Sequence, residues 1–182
     1  MSSQPRSIEG VAFSAPQSQA LGPLLDALGA VAQPPQCLDQ KAAAQRFGNS
    51  VGRAEINPFL LGHERIEIIH FPDAPTRHKV DPGPSNTLWF QHVAIVVRDL
   101  LKAAERLVPF VTPISASPQF LPNGVGAWKF RNACGHAMEL LFFPDGMGDP
   151  RWHESGENLF QGLDHSAIAI ADTDRSLRFY VG

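Results

Sequence analysis

One short stretch of this chain occurs twice in clear form and a third time in degraded form. The clear copies are FQHVAIVVRD at 90–99 and LDHSAIAIAD at 163–172, and the degraded copy is IEGVAFS at 8–14. Repetition at this scale indicates one supersecondary unit that the fold uses more than once. Each clear copy carries a histidine at the same place near the start of an apolar, strand-like run.

A second phrase is repeated further along the first two copies. It reads ERIEIIHFPD at 64–73 and HAMELLFFPD at 136–145. Each version places a glutamate, Glu67 or Glu139, inside an apolar strand-like run. An unpaired buried carboxylate is costly, so each glutamate needs a cation, a metal ion or solvent beside it.

Around the second copy the segments predict one strand, one helix and then three strands. Around the first copy they predict a degenerate version of this order: one strand, one helix and two further strands. After the copy at 90–99, Asp99 can cap a helix over 100–107. After the copy at 8–14, leucines recur at helical spacing, and Gly29 stands at the expected end of that helix. The predicted buried stripe of the 100–107 helix consists of Leu100, Ala103, Ala104 and Leu107.

These patterns divide the chain into units with two connectors between them. The third unit contains one predicted strand and the start of a helix, so we expect the chain to be a fragment or a natural truncation. An apolar strand without neighbours tends to associate, and we expect this one to pair with another chain or to stay poorly ordered. The predicted divisions are a degenerate first unit at 8–73, a linker at 74–87, a second unit at 88–145, a connector at 146–162 and a truncated third unit at 163–182.

Composition excludes several classes of function. The formal net charge is −3 and the pI is about 6.1, which gives no electrostatic basis for binding nucleic acid. No apolar stretch is long enough to span a bilayer, and the first residues lack a signal-peptide core. Two widely separated cysteines, Cys37 and Cys134, form no ligand motif and are expected to be reduced. We therefore expect a cytoplasmic protein without membrane contact.

The βαβββ order, with its histidine-bearing first strand and glutamate-bearing last strand, resembles the vicinal oxygen chelate superfamily. This superfamily includes glyoxalase I, bleomycin resistance proteins and extradiol dioxygenases. The resemblance is strongest over 89–180, where the segment 176–180 reads SLRFY. It implies an α+β fold in which βαβββ units pair into an open, curved, mixed β-sheet cup, the glyoxalase/dioxygenase-like fold.

The resemblance also implies that metal ligands come from the first and last strands of paired units. If the first two units pair, the ligands are Glu67, His92 and Glu139, because Gly10 replaces the ligand of the first strand. If the second and third units pair, the ligands are His92, Glu139 and His165. Such sets suit a divalent ion such as Fe, Mn, Ni, Co or Zn.

Two kinds of function fit these residues. The first is a metal-dependent enzyme, a dioxygenase or a glyoxalase-type lyase or isomerase, acting on a small substrate with vicinal oxygens, with Glu139 or Glu67 as general base. The second is a metal-free protein that sequesters a small molecule, as bleomycin resistance proteins do.

We expect a homodimer. Three aromatic residues are expected to line the substrate pocket, although strand aromatics often belong to the core instead: Trp89, Trp128 and Phe130.

Overall fold

The computed structural model describes residues 8–17, 19–48, 52–74, 87–154 and 156–180. It has an α+β fold built on two open, mixed sheets. The first sheet has the order β1-β5-β4-β2, with β3 also paired to β4, and β1 runs parallel to β5. Its elements are β1 (Gly10–Ser14), α1 (Gly22–Leu28), β2 (Val31–Ala32), β3 (Gln36–Leu38), α2 (Gln40–Phe47), β4 (Ala54–Leu61) and β5 (Glu64–His70).

The second sheet has the order β11-β6-β10-β9-β7, with β8 also paired to β9. Strand β6 lies between β10, which is parallel to it, and β11, which is antiparallel to it. The elements in this half are β6 (Phe90–Val97), α3 (Leu100–Leu107), β7 (Thr112–Pro113), β8 (Gln119–Phe120), β9 (Gly126–Arg131), β10 (Ala137–Phe142), β11 (Phe160–Ile168) and α4 (Thr173–Tyr180).

Local sequence signals account for the helices that border the core. Asp99 accepts a hydrogen bond from the Lys102 amide at 3.0 Å and caps α3. Gly29 ends α1 in the left-handed conformation, with φ at 72°, which glycine adopts at no steric cost. Both predictions are confirmed, and all four residues of the predicted α3 stripe are buried: Leu100, Ala103, Ala104 and Leu107.

Helix α2 was not predicted. Asp39 caps this two-turn helix by accepting a hydrogen bond from the Ala42 amide. Of the residues in the helix, Ala43 alone is buried. Ala43 packs with Ile56 and Ile69 on one face of the first sheet, so α2 covers that face.

The face of the first sheet covered by α1 and the face of the second sheet covered by α3 share one hydrophobic core. Leu24 and Leu28 of α1 lie in it together with Leu100 and Leu107 of α3. Their burial joins the two halves of the chain, since each fully buried leucine contributes about 2 kcal/mol. The opposite face of the second sheet carries a smaller cluster. Its buried members are Ala94, Val96, Leu141 and Trp152.

A local two-fold axis relates β6 to β11. Val93 and Ser166 occupy the same position in the repeated phrase, and they also lie directly opposite each other in the antiparallel pair. Equivalent residues can face each other across two antiparallel strands only near a two-fold axis. The strand of the third unit therefore pairs with β6 of the same chain along one of its edges, and the expected pairing with another chain stays a prediction.

Most of the predicted linker, residues 75–86, lies outside the described residues, as does His78. None of the helices in the described part of the chain is long and apolar enough to cross a membrane.

Candidate metal centre

The strand register brings the repeated histidine and glutamate of the second unit together. Glu139 on β10 lies opposite Ala94 on the parallel strand β6. His92 is two residues before Ala94, so its side chain emerges on the same face of the sheet. The first sheet has the same register, with Glu67 opposite Ala12 and Gly10 two residues earlier. Gly10 therefore occupies the position of His92.

The antiparallel strand β11 adds a third side chain to this face. Nε2 of His92 lies 3.0 Å from Oε2 of Glu139 and 3.3 Å from Nε2 of His165. The distance from His165 Nε2 to Glu139 Oε2 is 3.9 Å. The three residues, hereafter the metal cluster, offer two imidazole nitrogens and one carboxylate oxygen within 4.8 Å of one another.

The metal cluster is buried on one side and open on the other. The side chains of His92 and Glu139 are 12% and 9% exposed, whereas that of His165 is 41% exposed. Val96 and Trp152 pack on the same face of the sheet, further along the strands. A ligand therefore reaches the cluster from the side of His165.

Glu139 is held as a carboxylate. Burial, the largest single influence, raises the pKa of Glu139, but the hydrogen bond with His92 and the charges of Lys129, His92 and His165 outweigh it, leaving the pKa below its usual value. Lys129 is the neighbour of Glu139 on β9, and its Nζ lies 3.6 Å from Oε1. An ionised carboxylate next to two imidazoles is chemically suited to bind a cation.

His165 is oriented by the residue before it. Its Nδ1 lies 2.8 Å from Oδ2 of Asp164, and the hydrogen bond from His165 is the main reason that the pKa of Asp164 is lowered. An ionised carboxylate can only accept, so Nδ1 carries the proton and Nε2 faces the cluster. The same bond raises the pKa of His165. Trp152 donates from Nε1 to Oδ1 of Asp164 at 3.1 Å and holds that carboxylate in place.

These residues fit a divalent metal ion. Two imidazoles and one carboxylate on a face of a sheet form a donor set that suits borderline ions and leaves coordination positions free. The Asp164–His165 hydrogen bond is the outer contact that usually fixes the tautomer of a metal-binding histidine. His92, Glu139 and His165 would hold the ion. This is the ligand set that the sequence implies if the second and third units pair.

Glu67 does not join the metal cluster. It lies on the first sheet, where Nη2 of Arg46 and Nε of Arg65 contact its two carboxylate oxygens at 2.6 and 2.8 Å. Arg46 belongs to α2, which has no counterpart among the described elements of the second sheet. Two guanidinium groups occupy the carboxylate, and the ligand set Glu67, His92 and Glu139 is therefore wrong.

Two of the three predicted pocket aromatics lie elsewhere. Trp128 and Phe130 are 2% and 0% exposed in the shared core. They alternate with Lys129 on β9, so they point away from the face that carries the metal cluster. The prediction that Trp128 and Phe130 line the pocket is wrong. Trp89 immediately precedes β6 and is 57% exposed, and its carbonyl accepts a hydrogen bond from the Ala169 amide.

Sequence reasoning missed Lys129 and Asp164. Lys129 could have been found from the cross-strand position of Glu139, and Asp164 from its place beside the repeated histidine.

A cleft of about 160 Å³ lies at the far end of β6, away from the metal cluster. Arg98, His153 and Gln161 are among the residues that line it.

No protein-family model and no curated protein sequence matches the chain. Solved structures do match. A glyoxalase family protein from Bacillus cereus is 19% identical, with a TM-score of 0.64 over 76% of this chain and 95% of that one. A glyoxylase/bleomycin resistance protein/dioxygenase domain from Frankia sp. EAN1pec is 16% identical, with a TM-score of 0.56 over 79% and 96%.

A third match is a glyoxalase family protein from Enterococcus faecalis, 16% identical with a TM-score of 0.54 over 75% of this chain and 97% of that one. At such identities the likeness establishes the fold and leaves the reaction to be argued from the site. The two open, mixed sheets and these matches agree with the resemblance read from the sequence. The chain therefore has the glyoxalase/dioxygenase-like fold.

Proposed function

We propose that this protein is a divalent-metal-dependent enzyme that acts on a small substrate with adjacent oxygen atoms. The observation that supports this most is the convergence of His92, Glu139 and His165 within 4.8 Å on the open face of the second sheet. Two histidines and one carboxylate are the ligand set of non-haem Fe(II) oxygenases. A dioxygenase reaction is therefore the form that we favour, and a lyase or isomerase reaction with Mn, Ni, Co or Zn is the alternative.

A bound divalent ion would supply a Lewis acid for the adjacent oxygens of a substrate. The chain itself supplies the surroundings. Trp152 and Val96 pack together as buried apolar residues on the same face of the sheet. Lys129 places a positive charge 3.6 Å from Oε1 of Glu139 and favours a substrate with an anionic oxygen.

The environment of the two glutamates bears on the choice of general base. The pKa of Glu139 lies below its usual value, which favours the role of ligand over that of proton acceptor. Glu67 is enclosed by Arg46 and Arg65 on the other sheet. Neither surrounding supports the sequence-based expectation that one of these glutamates acts as the base.

A metal-free binding protein is the second candidate, and one observation favours it. Glu139 already contacts His92 at 3.0 Å and Lys129 at 3.6 Å. Its charge is thus balanced without a metal ion, and the cup could bind a small molecule through Lys129 and apolar contacts alone.

The deciding experiment compares wild-type protein, His92→Ala and a matched control, His63→Ala, whose histidine is exposed in the turn between β4 and β5. Oxygen uptake is followed with catechols and Fe(II), and a parallel anaerobic assay uses a hemithioacetal or a 2-substituted acyl thioester with Mn(II), Ni(II), Co(II) or Zn(II). We expect turnover in one arm for wild type and His63→Ala, and none for His92→Ala. Ligand binding that survives a chelator, without turnover by any protein, supports the metal-free candidate.

We also propose a cytoplasmic location, which is supported by two free cysteines, one of them, Cys37, exposed. The homodimer and the absence of nucleic-acid and membrane partners stay predictions.

A further inference from the structure

Strand β11 is irregular at the point where it delivers His165. Leu163 pairs with Ile95 and Ser166 with Val93. Ala94 alone lies between the β6 partners, whereas Asp164 and His165 lie between the β11 partners. One extra residue on one strand is a β-bulge, which redirects a side chain and interrupts the ladder of backbone hydrogen bonds. The bulge therefore needs support from outside the strand pair.

That support comes from two side chains far away in sequence. Oε2 of Glu64, at the start of β5 in the first sheet, accepts a hydrogen bond from the Leu163 amide at 3.0 Å. Nη2 of Arg151 donates to the Leu163 carbonyl at 3.0 Å, and Nη1 pairs with Glu64. Glu64 is 3% exposed and Leu163 is 0% exposed. Both backbone groups at the beginning of the bulge are thus held by one partly buried ion pair.

Two glycines permit this close approach. A Cβ on Gly162 would collide with the Glu64 carboxylate, and a Cβ on Gly62 would collide with the Gln161 carbonyl. The turn between β4 and β5 therefore rests directly on β11. The first sheet touches the bulge through this turn and through Glu64.

The same network continues to the metal cluster. The Arg151 guanidinium stacks on the Trp152 ring at 3.8 Å. Trp152 donates to Oδ1 of Asp164 at 3.1 Å, and Oδ2 of Asp164 lies 2.8 Å from Nδ1 of His165. Every step from Glu64 to His165 is therefore a hydrogen bond, an ion pair or a stacked contact.

We infer that Glu64 and Arg151 are positioning residues that hold the β11 bulge, so that the first sheet, whose described residues form no candidate metal site of their own, places His165 in the metal cluster. The inference rests on the proposed metal site. A buried ion pair is weak support for stability as such, because desolvation offsets the attraction, but it is well suited to fix the register of a segment. The functional consequence is that ligand geometry at His165 depends on residues that never touch the metal.

The test uses Glu64→Gln and Arg151→Met, with Glu67→Gln as the matched control. Glu67 is on the same strand, is 7% exposed and also pairs with arginines, but those contacts do not involve β11. The first measurement is made without metal, by NMR of ¹⁵N-labelled histidine. The Nδ1–H signal of His165 should be protected in wild type and Glu67→Gln, and should be lost to solvent exchange in Glu64→Gln and Arg151→Met.

The second measurement is titration with Co(II). Changes in the outer contacts of a metal site lower affinity by roughly tenfold or more, and we expect this loss in Glu64→Gln and Arg151→Met but not in Glu67→Gln. The double variant should lose no more Co(II) affinity than either single variant, because the two residues hold the bulge together as one ion pair. Should either variant fail to fold, Arg151→Lys keeps the charge beside Glu64 and should show a smaller loss of the same kind.

The outcomes separate the two claims. Unchanged Co(II) affinity and an unchanged His165 signal in folded Glu64→Gln or Arg151→Lys would overturn the inference and leave the metal site standing. An equal loss in Glu67→Gln would also overturn it, since the effect would then be general to the first sheet. If wild type binds no Co(II) but the His165 signal still depends on Glu64, the positioning inference holds and the proposed function fails.

Discussion

Glu67 and Glu139 occupy equivalent positions in the repeated strand and are equally buried, at 7% exposure, but they face opposite kinds of partner. Glu139 faces the imidazoles of His92 and His165, and Glu67 faces two guanidinium groups. Imidazole is a metal ligand, whereas guanidinium stays protonated and binds no metal. One sheet therefore presents a candidate metal centre, and the other presents a closed ion-pair site.

Lys129 should tune the metal cluster. Replacing it by Gln in Lys129→Gln removes a positive charge next to Glu139, so the affinity for Co(II) should rise by roughly fivefold, corresponding to about 1 kcal/mol for charges at this range in water. Binding of an anionic chelating probe, oxalate, to the Co(II) protein should weaken. Calorimetric titration checks both. Arg131→Gln, two residues along the same strand, is the control, and a fall in Co(II) affinity for Lys129→Gln would contradict the expected electrostatic role.

The helix cap at Asp99 should contribute to stability in a pH-dependent way. Asp99→Ala should lower the free energy of unfolding by about 1 kcal/mol at neutral pH. The pKa of Asp99 is lowered, mainly by the hydrogen bond from the Lys102 amide. The cap therefore acts fully above the unfolded-state pKa of about 3.9 and is lost as the pH falls through the lower folded-state pKa.

Urea unfolding of wild type and Asp99→Ala across this acidic range measures the effect. The difference between the two proteins should shrink as the pH falls. Asp26→Ala, at an exposed position within α1, serves as the control. A difference that stays constant down to the most acidic conditions would show that the side chain does not cap α3 as a carboxylate.

The core placement of Phe130 predicts a large effect on stability. Phe130→Ala should destabilise the protein by about 3–5 kcal/mol, because the side chain is 0% exposed and its loss leaves a cavity. Trp89→Ala, at an exposed site, should change stability by about 0.5 kcal/mol or less. Denaturant unfolding checks both values. Near-wild-type stability of Phe130→Ala would contradict the placement of Phe130 in the core.

The two cysteines should react at different rates with iodoacetamide. Cys37 is exposed, whereas burial raises the pKa of the half-buried Cys134 thiol. The thiolate is the reactive form, so Cys134 should be alkylated more slowly in the folded protein. Mass spectrometry of a time course, with Cys37→Ser to isolate the slow site, measures this. Equal rates for both residues would contradict the burial of Cys134.

The repeat predicted the positions of the cluster residues well because register depends on spacing. His92 and His165 stand at the same place in two copies, and the two-fold pairing of β6 and β11 brings them together. Helix α3 was equally predictable, since Asp99 and an apolar stripe both point to it. The caps of α2, Asp39 and Gly48, were present in the sequence, but the apolar face of the helix is small, since Ala43 is buried and Phe47 only partly buried.

Partners contributed from distant segments could not be predicted in this way. Nothing in the spacing of Glu67 reveals that Arg46 reaches it from α2. Likewise, Glu64 and Arg151 are separated by 87 residues and meet only because the two sheets pack together. The repeat therefore gives the location of a candidate ligand, and the neighbouring elements decide whether that ligand is free to bind a metal ion.

The metal content of four variants tests the central claim most directly. Wild type, His165→Ala, Glu139→Ala and Glu67→Ala are each loaded with Co(II), desalted and analysed for bound metal by mass spectrometry. We expect a stoichiometric ion in wild type and Glu67→Ala, and strong depletion in His165→Ala and Glu139→Ala, because only the last two remove a ligand. Depletion in Glu67→Ala with retention in His165→Ala, or no bound ion in wild type, would contradict the account.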